Sequence, residues 1–190
     1  MTPTARAFMY LGAVGACALF AACTPSAGVS PTPSSGVSTP AGQSAPPETE
    51  QQRKERLDFE AAEKAYRTFR AEYDRISDTR GGSAKPTMLM TDNAAGPYLK
   101  VMSSFLKSKK AKGQYEDRRV RIAHVIHGAY SPQELLLLTC EDGTEVRVFD
   151  LKGHRVGHGQ ASKMTFYVRP VDGRWKVWDG TQEEVKQCEQ

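Results

Sequence analysis

Only four of the 190 residues are cysteine, at positions 17, 23, 140 and 188, and no Cys-x-x-Cys pair occurs among them. Histidine is equally scarce. Of His124, His127, His154 and His158, only the last two stand four apart, and the glycines around them would not hold both on one helical face. A metal site is therefore not expected, and neither is a cofactor. The chain also lacks a phosphate-cradling glycine loop, a nucleophile triad and paired catalytic carboxylates. Its formal charge of +4 is a mild excess, too small to suggest a nucleic-acid partner. Long hydrophobic runs are missing as well: the one candidate, Ala7 to Phe20, is too short for a comfortable membrane span.

That run follows a single positive charge, Arg6, and leads into Ala21-Ala22-Cys23, the grammar of an export signal. Small residues directly before Cys23 resemble the lipobox of bacterial lipoproteins. The resemblance implies cleavage at that point and lipid on Cys23. Val14-Gly15-Ala16-Cys17 fits the same short pattern but would leave too little apolar core. From Thr24 to Pro47 the chain is almost entirely Ser, Thr, Pro, Gly and Ala, with too little apolar surface to offset its ordering entropy. This stretch reads as a disordered stalk with a mean span of roughly 25–30 Å. Residues 1–22 are thus expected to be a signal peptide, 23–47 a lipidated stalk and 48–190 a single domain. Such a protein would sit on the outer face of a bacterial cell membrane.

Beyond Glu48 the composition turns charged and apolar. Phe59, Ala62, Tyr66, Phe69, Tyr73 and Ile76 alternate three and four apart, which puts them on one stripe of a helix. A short helical turn is expected within Thr87–Ala95, with Met88, Leu89 and Met90 packing inward. Pro97 suits the first turn of a further helix and Gly113 its stop. Its apolar side would be Tyr98, Val101, Met102, Phe105 and Leu106. Lys107, Lys109, Lys110 and Lys112 crowd its end, where cations complement the helix dipole; the cluster reads as a solvated helix end, with contact to anionic lipid or cell-wall polymer as the alternative.

The last third alternates with period two. Val120, Ile122 and Ile126 would share one face of a strand that breaks at Tyr130-Ser131-Pro132. Glu134–Cys140 is apolar on both parities and reads as a central strand covered on both sides, although four leucines could also begin a helix. Val146–Phe149 would continue it past a bulge or tight turn. Leu151–Gly159 reads as a glycine-rich loop. Met164–Arg169 and Trp175–Trp178 would form a hairpin around Asp172-Gly173, a pair suited to a type I′ turn, with Asp179-Gly180 closing the sheet. If lipid consumes Cys23, two cysteines remain in an exported chain, and Cys140 is predicted to join Cys188.

The resulting class is α+β, with N-terminal helices packed on a strongly bent antiparallel sheet of about four to six strands. It resembles the cone-shaped nuclear transport factor 2-like superfamily, and more narrowly actinobacterial lipoproteins with such a domain behind a Ser/Pro/Thr stalk. Gly96-Pro97-Tyr98-Leu99, Thr139-Cys140, Asp150-Leu151-Lys152-Gly153, Gly173-Arg174-Trp175-Lys176-Val177 and Cys188 carry the resemblance. It implies a pocket between the long helix and the sheet, with Tyr66, Tyr73, His124, Phe166 and Trp178 as candidate lining. The favoured reading is a non-catalytic module that binds a small ligand, a cell-wall component or a protein. One alternative is an enzyme of the polyketide-cyclase or ketosteroid-isomerase kind with an inward His124 as base. Another is an accessory subunit of a membrane complex, marked by an exposed apolar patch on the convex face.

Overall fold

The computed structural model describes residues 47–80 and 82–189, so the expected signal peptide, Cys23 and almost all of the expected stalk lie outside the described residues. Residues Pro46–Gln190 form a compact unit. It is α+β, with helices packed against antiparallel sheets. Helix α1 (Glu50–Asp78) opens with a capping box, in which Thr49 and Gln52 satisfy each other's backbone N–H groups. Helix α2 (Met88–Asn93) is capped by Thr87, and α3 (Gly96–Lys112) ends at Gly113 in the left-handed conformation.

Strands β2 (Arg121–Ser131), β3 (Glu134–Asp142), β6 (Ala161–Val171) and β7 (Arg174–Val185) form one antiparallel sheet in the order β2-β3-β6-β7. A separate small sheet holds β1 (Gln114–Glu116), β4 (Arg147–Asp150) and β5 (Arg155–His158) in the order β1-β4-β5. The α1 stripe is buried in full, against Leu135 and Leu137 of β3, Phe166 and Val168 of β6 and Val177 of β7. Asp172 and Gly173 both have positive φ, as a type I′ turn requires.

Several local expectations are corrected. The pairing slips between Ile122 and His124, so Ala123 is an extra residue and parity reverses after it. Ile122 and Val125 therefore pack on the core while Ile126 is 54% exposed. Among the leucines, Leu138 is on the outer face and partly exposed, so β3 is an inner strand sealed firmly on one side only. The expected Val146–Phe149 segment does not extend β3: Val146 ends a turn and Arg147–Phe149 belongs to the small sheet, while the expected loop contains β5, whose backbone pairs with β4 despite its glycine. β7 runs on past Gly180 to Val185, paired with the first half of β6. Met88, Leu89, Val101 and Phe105 are exposed, since α2 and α3 lie across the edge of β7 and bury only Met90, Tyr98, Met102 and Leu106. Ala95 donates its N–H to the Val177 carbonyl there, which protects the strand edge.

At the N-terminal end of α1, Asp58 ties three elements together. Its carboxylate accepts from Lys54 at 2.6 Å, from the Tyr130 hydroxyl at 2.6 Å and from the Trp175 indole at 3.0 Å. Burial pushes this carboxyl up, but the three donors outweigh it and hold the group below its ordinary value. A depressed folded pKa means the gain is complete above the unfolded value near 3.8 and is lost as pH falls through the lower, folded value. Asp58→Ala is expected to cost about 2 kcal/mol at neutral pH and to flatten the acid limb of stability, checked by urea melts from neutral pH down to about pH 2.

Candidate functional site

Residues of α1, α3, β1 and the large sheet line an open cleft of about 430 Å³. Tyr73 and Arg70 of α1 line one side, and Tyr98, Met102, Phe105 and Lys109 of α3 line another. Glu116 of β1 and Glu141, Ser162, Met164 and Gln182 of the large sheet complete much of the rest. The turn Gly143–Val146 and the run His158–Gln160 close the far side.

The floor is charged, and its charges are paired. Arg70 donates to Asp74 at 2.6 Å and to Glu141 at 3.3 Å, with only 11% of its side chain exposed. The other Glu141 oxygen accepts from the Tyr66 hydroxyl at 2.8 Å. Lys109 pairs with Glu116. Both cations approach the Tyr73 ring, Arg70 at 5.2 Å and Lys109 at 5.3 Å from its centroid. Burial opposes the charge of Arg70, yet Glu141 and Asp74 overcome this and hold its guanidinium firmly protonated. Asp74 goes the other way: burial pushes its carboxyl up despite Arg70. Burial lowers Lys109, with Glu116 opposing, and pushes the Tyr73 hydroxyl up to about 12. Tyr98 is likewise raised by burial and by Glu141.

Of the five residues expected to line a pocket, only Tyr73 does. Tyr66 is fully buried beneath the floor, supporting Glu141 from below. Phe166 is core, its ring 4.7 Å from Tyr66 and 5.4 Å from Tyr98. His124 sits opposite Cys140 in the ladder. Thr139 and Glu141 point at Tyr66, so by alternation Cys140 and His124 point to the outer face. An inward His124 base is thereby excluded. Trp178 is the extra residue of a bulge in β7 and lies against Gly96, where an added Cβ would come within 2.7 Å of its ring. Cys140 and Cys188 are joined, with Cα atoms 5.7 Å apart.

Sequence reasoning missed Arg70, Asp74, Tyr98, Lys109, Glu116 and Glu141. A signal existed for three of them. Arg70 and Asp74 fall four and eight positions after Tyr66, on the flank of the buried stripe, and Glu141 shares the parity of Leu135 and Leu137. Asp74 lies in the interior, where Arg70 compensates its charge.

No family model matches the chain, and no curated protein matches it. Several solved structures are similar in outline. The intermembrane-space region of the chloroplast protein ARC6 is 13% identical, with a TM-score of 0.49 over 66% of this chain and 96% of that one. A provisional dehydratase of the NTF2-like family from Streptomyces avermitilis is 12% identical, with a TM-score of 0.47 over 68% of this chain and 98% of its own. A protein of unknown function with a cystatin-like fold from Nostoc punctiforme is 11% identical, with a TM-score of 0.35 over 72% of this chain and 93% of its own. Likeness at this level says nothing about activity.

Proposed function

We propose that residues 48–190 are a nuclear transport factor 2-like binding module, carried on the outer face of a bacterial membrane by lipid on Cys23, whose cleft takes a small, partly apolar ligand. The observation that carries this reading is the cleft itself, about 430 Å³ with aromatic, methionine and amide side chains around a floor of paired ions in which the buried Arg70 Nε–H is left without a partner. Such a lining supplies apolar contact and fixed hydrogen-bond partners, the usual composition of a small-molecule site. The enzyme reading gains less support. Glu141 is held by Arg70 and Tyr66, and Glu116 by Lys109, so neither carboxylate of the cleft is a free base.

Two measurements test this. The fluorescent anionic aromatic dye ANS is expected to bind the folded domain at one saturable site. Gln182→Trp, placed at the cleft wall on an edge strand, is expected to weaken that binding at least tenfold with the melting temperature unchanged. Dye binding that ignores Gln182→Trp would overturn the cleft reading. In cells, Cys23→Ser is expected to abolish incorporation of labelled palmitate into the protein, and undiminished labelling would overturn the anchor.

A further inference from the structure

Charge on the domain is sharply divided. Residues 105–121 and 144–158 carry ten Lys and Arg against four Asp and Glu, an excess of six, whereas the rest of 47–189 has a deficit of three. These two segments meet at one pole of the fold. β1 pairs with β4, Gly113 abuts the Leu151 side chain, and Arg80 at the end of α1 lies over the Tyr115 ring at 5.1 Å. All four carboxylates of the pole are engaged: Glu116 by Lys109, Asp117 by Arg147, Glu145 by Arg118 and Asp150 by the His154 loop. By contrast Arg80, Lys107, Lys110, Lys112, Lys152 and Arg155 are exposed and pair with no carboxylate among the described residues. The helix dipole accounts for lysines in the last turn of α3, but not for Lys152 and Arg155 beside them on another element.

Large apolar side chains stand among these cations. Leu151 is 55% exposed at the tip of the β4–β5 turn, with Val156 at 49% and Phe105 at 55%. A soluble polyanion would meet the charges and leave these groups in water. A bilayer accommodates both, since headgroup phosphates face the lysines while leucine, valine and phenylalanine enter the acyl boundary. We infer that this pole docks on a membrane surface rich in anionic phospholipid.

The geometry allows the domain to reach the membrane that carries it. The pole lies at the C-terminal end of α1, a helix of 29 residues and therefore about 44 Å long. Twenty-four residues separate Cys23 from Glu48, and their contour of at most about 80 Å exceeds that length. The docking inference does not depend on lipidation or on a ligand in the cleft, although Phe105 also lines the cleft.

The test uses residues 48–190, which hold the whole core and both paired cysteines and so need no upstream segment to fold. They are sedimented with vesicles of phosphatidylglycerol and phosphatidylcholine, or of phosphatidylcholine alone. Binding is expected only to the anionic vesicles, and to disappear in about 1 M salt, where the screening length falls to about 3 Å. Each cation near the surface is worth about fivefold in affinity, so Lys110→Glu/Lys112→Glu/Lys152→Glu is expected to lose at least a hundredfold. Leu151→Ser is expected to lose several-fold while keeping the salt dependence. Near-UV circular dichroism of both variants should match the parent. No binding to anionic vesicles, or undiminished binding by the correctly folded triple variant, would overturn the inference. Tight binding to inorganic polyphosphate with none to vesicles would overturn it in favour of a soluble polyanion.

Discussion

Replacing Arg70 by methionine is expected to cost about 3–5 kcal/mol of folding stability, measured by urea denaturation at neutral pH. The size follows from what the substitution leaves behind. Methionine fills much of the space, so packing changes little, but Asp74 and Glu141 remain inside without their cation. Asp74 keeps 3% of its side chain exposed, so solvent cannot take over the role of the guanidinium. Burial already raises its carboxyl in the intact protein, and removing Arg70 raises it further. A carboxyl with a raised folded pKa destabilises the fold in full above that pKa, and the penalty declines as pH falls below it and is gone below the unfolded value near 3.8. The deficit of Arg70→Met should therefore shrink on acidification from pH 7 toward pH 5. Adding Asp74→Asn and Glu141→Gln should recover most of the loss even at neutral pH, because it is the unpaired charges that are costly. A loss below about 1 kcal/mol, or one that neutral partners do not restore, would show that the cluster is solvated and that the cleft floor is softer than its geometry implies.

The same cluster explains how far the sequence could be read. The α1 stripe was legible because its apolar residues repeat at helical spacing and every one is buried, and the hairpin at Asp172-Gly173 because two consecutive residues need positive φ. Such signals are local. The site is not, for it forms where Arg70 meets Glu141 across 71 positions and Lys109 meets Glu116 after the chain turns at Gly113. Charged residues on a helix flank read as solvent-facing until a partner from another element is known. Strand faces failed for a narrower reason. Alternation predicts a face only while the ladder stays in step, and bulges at Ala123 and Trp178 reversed it just where His124, Ile126 and Trp178 were being assigned. Cysteine arithmetic escaped this problem, because pairing the last two cysteines requires no knowledge of parity.

Severing that bridge is the second large effect. Cys188→Ser is expected to lower stability by about 4 kcal/mol, the chain-entropy value for a loop closed across a sequence separation of 48. The substitution is gentle on the folded state, since Cys140 is completely buried and a reduced thiol behaves there as a small apolar group. The loss should appear mainly as unfolded-chain freedom, with a local share at the end of β7. Residues Thr181–Glu184 are exposed, pair only with β6 and occupy the sheet edge. Their amides should exchange with solvent much faster in the variant, while those of Trp175–Val177, which face the core or the α2–α3 junction, keep their protection. Dithiothreitol should reproduce the drop in the parent and leave Cys188→Ser unaffected. Because Gln182 of this segment forms part of the cleft wall, ANS affinity should fall with it. A variant that loses stability without loosening Thr181–Glu184 would place the whole effect in the unfolded chain, and one that loses neither would refute the role given to the bridge.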